Sequence, residues 1–368
     1  MVSAWVLAGI TMRHDTHKLQ TLPRPVFPKN RWLDAWVKWD AGWYETIANH
    51  GYSYRPGKQS SIAYFPSYPL SMRWLGALTG NVFIAGMIIT VASGFAYLLL
   101  AARWFKDHLG ASAAWAAFLL LLWYPFAFYL FGAVYSDALF AAAALGAFVL
   151  LERDKPILAG ILGAVASAAR PVGIAVIAGL VLLVLERREV ITFRPRFTVS
   201  LHNLKARDFG VLLSAVGLAA YLTFLAIKFG NPVAFLGAEA GWDQAPGYQT
   251  WLKFPLLKAI AHGQQPVWFW RHGMHLAMGL LALALLPRVW KRFGYAYGVY
   301  ALIVIAIPLI STKDFFSTGR YMLPAFPCFG AAGDLLATRT RTRYAVLATS
   351  LALLIVYVVL FSRGNYVA

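Results

Sequence analysis

Residues 157–185 read ILAGILGAVASAARPVGIAVIAGLVLLVL, and the reading of that stretch decides the fold. It is apolar throughout apart from Ser167 and Arg170, and Pro171 follows the arginine. A helix that crosses a bilayer needs about 20 apolar residues, so the stretch is long enough to cross once. A single crossing would put the basic connector before it (Arg153, Lys155) and the one after it (Arg187, Arg188, Arg194, Arg196, Lys205, Arg207) on opposite sides. Basic connectors collect on the cytoplasmic side, and proline disfavours helical geometry in the residue before it. The expectation is a pair of short helices that meet near Ala169-Arg170-Pro171, with the tip on the non-cytoplasmic side. Broken helices at membrane depth are tolerated where they are buried in protein or line a wet cavity.

Other apolar runs fall at 81–102, 112–131, 134–151, 209–228, 268–286, 294–311, 320–337 and 344–361. The chain is 60% hydrophobic and 13% charged, with mean hydropathy +0.60. A soluble domain carries about a quarter charged residues. The fold class is therefore an all-α polytopic membrane protein, a single domain over residues 1–368 with about 10–11 transmembrane or half-spanning helices. Further basic connectors hold Arg103 and Lys106; Arg288, Lys291 and Arg292; and Arg339, Arg341 and Arg343. The opposite side receives the long loop 13–80, the turn 132–136, the loop 229–267 and the turn 312–319. Net charge +18 thus belongs to short connectors that meet anionic lipid headgroups, not to a nucleic-acid site. The lone cysteine, Cys328, excludes a disulfide within the chain. Residues 1–12 are apolar but too short to span, and are expected to be a shortened first span.

Carboxylates are scarce, 15 in 368 residues. One of them, Asp40, stands in Trp39-Asp40-Ala41-Gly42-Trp43-Tyr44 within the first loop. Asp40 suits the N-cap of a helix over Ala41 to His50, and Gly51 suits its C-terminal cap. Trp39, Trp43, Tyr44 and Ile47 give that helix an apolar side expected to lie along the membrane surface. A second surface helix is expected near 248–261. Asp40, Glu45, Asp137, Arg170, Glu239, Trp242, Asp243, Asp314, Arg320 and Tyr321 all fall on the non-cytoplasmic side.

Ionisable groups at membrane depth mark function by default. A carboxylate, arginines and aromatics on one face suit a reaction between a lipid-borne phosphate ester and a sugar-like hydroxyl. Arginine grips phosphate in a fork, and a carboxylate takes the proton of the attacking hydroxyl. Plainer readings stand beside these. Asp40 and Asp137 suit helix caps, the aromatics suit an interfacial belt, and the arginines suit headgroups or structural acids. His272 and His275 have helical spacing, but a metal would need further ligands. No Gly-rich phosphate loop, Cys/His cluster or nucleophile elbow is present.

Trp39-Asp40-Ala41-Gly42-Trp43-Tyr44, with Ile47-Ala48 and Gly51-Tyr52 after it, resembles the first-loop signature of the PIG-V family of mannosyltransferases. Ala63-Tyr64-Phe65-Pro66-Ser67-Tyr68-Pro69-Leu70 is similar to that family's Phe-Pro-x-Tyr-Pro element. Tyr135-Ser136-Asp137 is similar to its Tyr-Ser-Glu element, with Asp in place of Glu. Ala169-Arg170-Pro171, Arg320-Tyr321, Pro324 and Phe326-Pro327 also match, so the likeness runs from about residue 36 to 330.

The resemblance implies a GT-C glycosyltransferase fold, a catalytic acid in the first non-cytoplasmic loop and a polyprenyl- or dolichyl-phosphate-mannose donor. In eukaryotes the family adds the second mannose to the glycosylphosphatidylinositol precursor; this compact chain looks like a bacterial relative. The expected roles are Asp40 as catalytic base and Arg170 and Arg320 on the donor phosphate. Trp43, Tyr44, Tyr64, Tyr68, Asp137 and Tyr321 are the expected substrate contacts. The acceptor is expected to be lipid-linked or a glycan, transfer to invert, and no metal or cofactor to be needed. The expected location is the bacterial plasma membrane, or the ER membrane in a eukaryote. Two alternatives stay open: a lipid-linked sugar flippase, and a GT-C transferase for another sugar.

Overall fold

A computed structural model describes residues 1–12, 25–192, 198–263 and 266–367. Part of the expected first loop (13–24), together with Arg194 and Arg196, lies outside the described residues.

The 157–185 stretch forms two helices, Pro156–Ser167 and Ile174–Arg187, joined through a 3-10 turn at Pro171–Gly173. Arg170 is extended (φ −157°, ψ 152°), as a residue before proline prefers. The helices have 12 and 14 residues, about 18 and 21 Å long, short of the ~30 Å hydrocarbon core. They double back on each other. Leu180 lies against Gly163, and Arg188 Nη2 donates to Asp154 Oδ1 at 2.5 Å across the base of the pair. At the tip, a Cβ on Gly173 would stand 2.4 Å from Ser167 Cα, so only glycine permits so tight a return.

Four helices are long and apolar enough to cross a membrane: Val82–His108, Ala206–Phe229, His272–Phe293 and Thr340–Ser362. The chain is an integral membrane protein on that ground. Shorter apolar helices pack among them, including Ala111–Leu122, Tyr295–Ser311 and Phe326–Leu336. Two apolar runs are cut where proline intervenes. The 112–131 run ends its helix at Leu122, before Pro125, and resumes only as a 3-10 turn at Ala127–Leu130. The 320–337 run starts its main helix at Phe326, with Pro327 in the first turn, where a missing N–H does no harm. Residues 2–11 form one ten-residue helix, about 15 Å long. It is tied to the last long helix by Thr11 Oγ1 and Ser362 Oγ at 2.8 Å.

The basic connectors assemble at one end. His108 Nε2 is 3.0 Å from Glu152 Oε1, and Arg292 Nη2 donates to His108 O at 3.2 Å. Arg187 Nη2 donates to Glu152 O at 2.9 Å, and Glu186 accepts from the backbone N–H groups of Tyr295 and Ala296. Arg343 Nη1 donates to Ser112 Oγ at 2.6 Å. An aromatic cluster packs against this end, with Trp104, Phe148, Tyr300 and Phe326 at centroid distances of 4.9–5.5 Å.

The Ala41–His50 helix has the expected bounds, with Gly51 at φ 80° beyond it. It does not lie along a membrane surface. Ala41, Trp43, Tyr44, Ile47 and Ala48 are all buried, because the elements around it cover both of its sides. The expected surface helix at 248–261 is two pieces, Tyr248–Trp251 and Phe254–Ala261, with Lys253 left-handed between them (φ 59°). Pro255 lacks the N–H that a continuous helix would need there. Trp251, Leu252, Phe254, Leu257 and Ile260 remain exposed on it.

Candidate active site

Asp40 sits at the N-cap position of the Ala41–His50 helix, yet its side chain makes no capping hydrogen bond. Its backbone is already helical (φ −61°, ψ −16°), whereas a capping residue is normally extended. The cap reading therefore fails. Trp39 before it is left-handed (φ 50°), which is unusual for a bulky residue; its ring meets Tyr366 edge-on at 4.9 Å. The Asp40 carboxylate turns to two partners instead. Tyr64 Oη donates to Oδ1 at 3.3 Å, and Arg320 Nη1 donates to Oδ2 at 3.3 Å.

Arg320 lies on the short turn Thr318–Tyr321, reached through two left-handed residues, Phe315 and Ser317. The turn is pinned from both sides. Gly319 N donates to His275 Nδ1 at 3.1 Å, and Tyr124 Oη donates to Gly319 O at 2.8 Å. His275 is thus a structural anchor, and His272 Nδ1 lies 2.9 Å from Asp314 O. The Arg320 guanidinium sits among the rings of Tyr129, Tyr135 and Tyr321, 5.0–5.2 Å from each centroid.

Asp137 opens the helix Asp137–Glu152, where the helix N-terminus favours negative charge. Its side chain is 1% exposed. Oδ1 accepts from Arg170 Nη1 and lies 3.7 Å from Arg320 Nε. Arg170 also stacks on Tyr321, its guanidinium carbon 4.3 Å from the ring centroid. The result is a neutral set of two arginines and two aspartates, enclosed by tyrosines. Burial pushes the Asp40 carboxyl above its ordinary range; Arg320 pulls it down and Asp137 adds to the rise.

A cavity of about 230 Å³ opens onto this cluster. Asp40, Tyr44, Tyr64, Arg170, Arg320 and Tyr321 line its polar side; Phe65, Val172, Phe235, Leu236, Ile307 and Pro308 line an apolar side. Three expected substrate contacts do not reach it. Tyr68 is fully buried, with its hydroxyl spent on Gly86 O and Thr90 Oγ1. Trp43 stands behind Tyr64, their rings stacked at 5.9 Å. Asp137 works from beneath, through the two arginines. Nor are Trp43 and Tyr44 an interfacial belt, since both are buried in protein.

Other acids on this side stay outside the cluster. Glu45 is buried against Asn49, and Asp243 is exposed beside Lys313. Glu239 and Tyr366 are among the cavity residues to which the sequence assigns no role. Glu239 was marked in the sequence only by the scarcity of acids. Tyr366 follows the last apolar run without any motif, and stacks on Phe316 at 5.0 Å. Burial pushes the Glu239 carboxyl up to about 7, with the Asp40 charge adding to the effect. Among the described residues, no group of three or more His, Cys, Asp or Glu is placed to hold a metal ion.

The architecture is the GT-C fold of membrane glycosyltransferases. Among solved structures, the chain is similar to ArnT from Cupriavidus metallidurans bound to undecaprenyl phosphate, at TM-score 0.50 and 17% identity. It is similar also to the oligosaccharyltransferase of Archaeoglobus fulgidus in its apo form, at TM-score 0.52 and 14% identity. The matches cover 95% and 99% of this chain, but only 62% and 56% of those proteins. At such identity the likeness defines the fold. No protein-family model matches the chain, and comparison with curated proteins finds no match.

Proposed function

We propose that this protein is a membrane glycosyltransferase of PIG-V type, which moves mannose from a polyprenyl- or dolichyl-phosphate carrier to a hydroxyl of a lipid-linked or glycan acceptor. The observation that carries the reading is a cavity that brings the desolvated Asp40 carboxylate together with two guanidiniums and an apolar wall. The acceptor O–H gives its proton to Asp40 as its oxygen bonds to the anomeric carbon. The bond from that carbon to the phosphate oxygen breaks, and the electron pair leaves with the phosphate. Arg170 and Arg320 stabilise that charge, each keeping N–H donors beyond those used on the aspartates. A raised Asp40 pKa makes it a stronger base near neutrality. One base and attack from the face opposite the phosphate invert the anomeric centre, by analogy with inverting hydrolases. Tyr44, Tyr64 and Tyr321 shape the sugar pocket, and the apolar wall receives the isoprenoid.

The guanidiniums supply the positive charge at the phosphate, so we expect transfer to survive chelation of divalent ions. ArnT was solved with undecaprenyl phosphate, which supports a lipid-phosphate carrier; mannose rests on the PIG-V motifs. The cavity lies at the end away from the basic connectors, which favours the non-cytoplasmic side of a bacterial plasma membrane or the ER membrane. The gathering of Asp40, Arg170, Glu239 and Arg320 at one cavity favours transfer over translocation. The test is Asp40→Asn in reconstituted membranes with polyprenyl-phosphate-mannose, read by product mass and linkage. Loss of turnover with intact folding is expected; near-normal turnover overturns the reading.

A further inference from the structure

Four of the charged groups at the site are engaged with one another, and one is not. Glu239 lines the same cavity as Asp40 and Arg320, yet among the described residues its carboxyl has neither a hydrogen bond nor an ion pair. It belongs to the short turn Glu239–Trp242. Trp242, three residues on, also lines the cavity. Its ring meets Trp43 edge-on at 5.7 Å and Tyr64 edge-on at 6.0 Å. Tyr64 in turn stacks on Trp43, so three rings form one continuous wall beside the Asp40 carboxylate.

The turn is held in place by backbone contact. A Cβ on Gly241 would stand 2.1 Å from Gln59 N and 2.3 Å from Lys58 C. Glycine is therefore required for the second loop to seat directly on the first. The first loop is itself braced there, because Ser60 Oγ donates to Lys58 O at 2.8 Å and accepts from Arg55 N at 3.0 Å. A free acid and a half-buried indole are thereby fixed at a cavity that also contains the base.

We infer that the Glu239–Trp242 turn is the acceptor subsite, and that it takes an uncharged, polyhydroxylated sugar ring packed on Trp242 and Tyr64 with its hydroxyls on the Glu239 carboxyl. This rests on the glycosyl-transfer reading and gives it a substrate class. Aromatic faces pack the apolar face of a pyranose, and a carboxyl binds hydroxyls as donor or acceptor according to its protonation. The titration of Glu239 near 7 lets it serve in both ways. An anionic acceptor group would meet Asp40 and Glu239 together, and is disfavoured.

The test separates acceptor from donor. Glu239→Ala should raise the acceptor KM about tenfold or more while the donor KM stays within twofold. Glu239→Gln, which keeps a neutral hydrogen-bonding group, should raise it less. Gly241→Ala should raise it with both side chains intact. A second readout needs no turnover: saturation-transfer NMR on the purified protein with methyl α-D-mannopyranoside, methyl α-D-glucopyranoside and methyl α-D-glucosaminide. Contact from the neutral pyranosides is expected in the wild type and in Asp40→Asn, and should be lost in Glu239→Ala and in Trp242→Ala. Unchanged acceptor KM in Glu239→Ala with active enzyme overturns the subsite and leaves the transfer reading intact. Pyranoside contact without sugar transfer from any lipid-phosphate donor fails the transfer reading instead. Stronger contact from the glucosaminide, or none from any of the three, overturns the neutral-sugar assignment.

Discussion

The molecule contains the same four charges twice. At the basic end, Arg188 and Arg207 meet Asp154 and Asp208; at the cavity, Arg170 and Arg320 meet Asp40 and Asp137. The basic-end set is self-sufficient. Arg188 forks onto Asp208 with Nε and Nη2 each at 2.8 Å, and its Nη2 also reaches Asp154. Asp154 and Arg207 are 43% and 45% exposed, so water completes what the pairs leave open. The hydrogen bond from Arg188 holds the Asp154 carboxyl below its usual range. The cavity set is buried and unfinished. Both Asp40 contacts are long, at 3.3 Å, while Asp137 Oδ2 and Arg320 Nε make no hydrogen bond. An incomplete buried network is costly in a fold, and beside a cavity its open hydrogen-bonding capacity is available to a bound substrate. Identical residue types thus give a structural clamp at the basic end and a poised site beside the cavity.

The largest expected difference between the two sets is in turnover. Asp40→Asn should lower kcat by about 100-fold or more, the usual range for a positioned general base. Asp154→Asn should leave kcat and both KM values unchanged in the same assay. Equal effects would erase the distinction.

Next come the arginines. Arg320→Ala leaves Asp40 and Asp137 without their shared cation, and removing one partner of a buried pair destabilises by about 3–5 kcal/mol. A clear fall in Tm is expected, against no resolvable change for Arg207→Ala. Arg170→Lys keeps the charge and loses the fork. Its donor KM should rise with folding intact, and unchanged donor dependence would remove Arg170 from the phosphate.

A smaller effect follows from titration. As the base, Asp40 works deprotonated, and burial raises its pKa. The acid limb of kcat/KM should therefore lie above the ordinary carboxylate range, with activity falling as pH drops through it. Asp137 pushes the Asp40 pKa up, so Asp137→Asn should move that limb to lower pH. Movement the other way would mean that another group governs it.

Much of this was legible before the structure. Two basic connectors and one Arg-Pro step sufficed to fold 157–185 back on itself, because charge sidedness and proline geometry are local rules with one joint solution. Asp40, Arg170 and Arg320 were conspicuous because they are ionisable groups in an apolar chain. What stayed hidden depends on direction, which residue type does not encode. Asp40 occupies a capping position without capping, and its carboxylate is held by groups 24 and 280 residues away. The 41–50 helix is amphipathic enough for a surface, but the burial of its other side comes from elements distant in sequence. Tyr366 has no neighbouring pattern to mark it.

The smallest test concerns two tyrosines that the sequence presents alike. Tyr64 and Tyr68 both belong to one aromatic, proline-rich element, and both are expected substrate contacts. The backbone separates them. Tyr64 is extended (φ −102°, ψ 121°), ahead of the helix Ser67–Thr79 that carries Tyr68. One hydroxyl therefore turns to Asp40 in the cavity, while the other is enclosed between Gly86 O and Thr90 Oγ1. Tyr64→Phe removes a donor from the base, so kcat should fall several-fold while Tm hardly moves. Tyr68→Phe should do the reverse: kinetic constants stay at wild-type values, and stability drops by about 1–3 kcal/mol as a buried acceptor loses its donor. A kinetic defect in Tyr68→Phe with unchanged Tm would place that ring at the substrate and redraw the cavity wall.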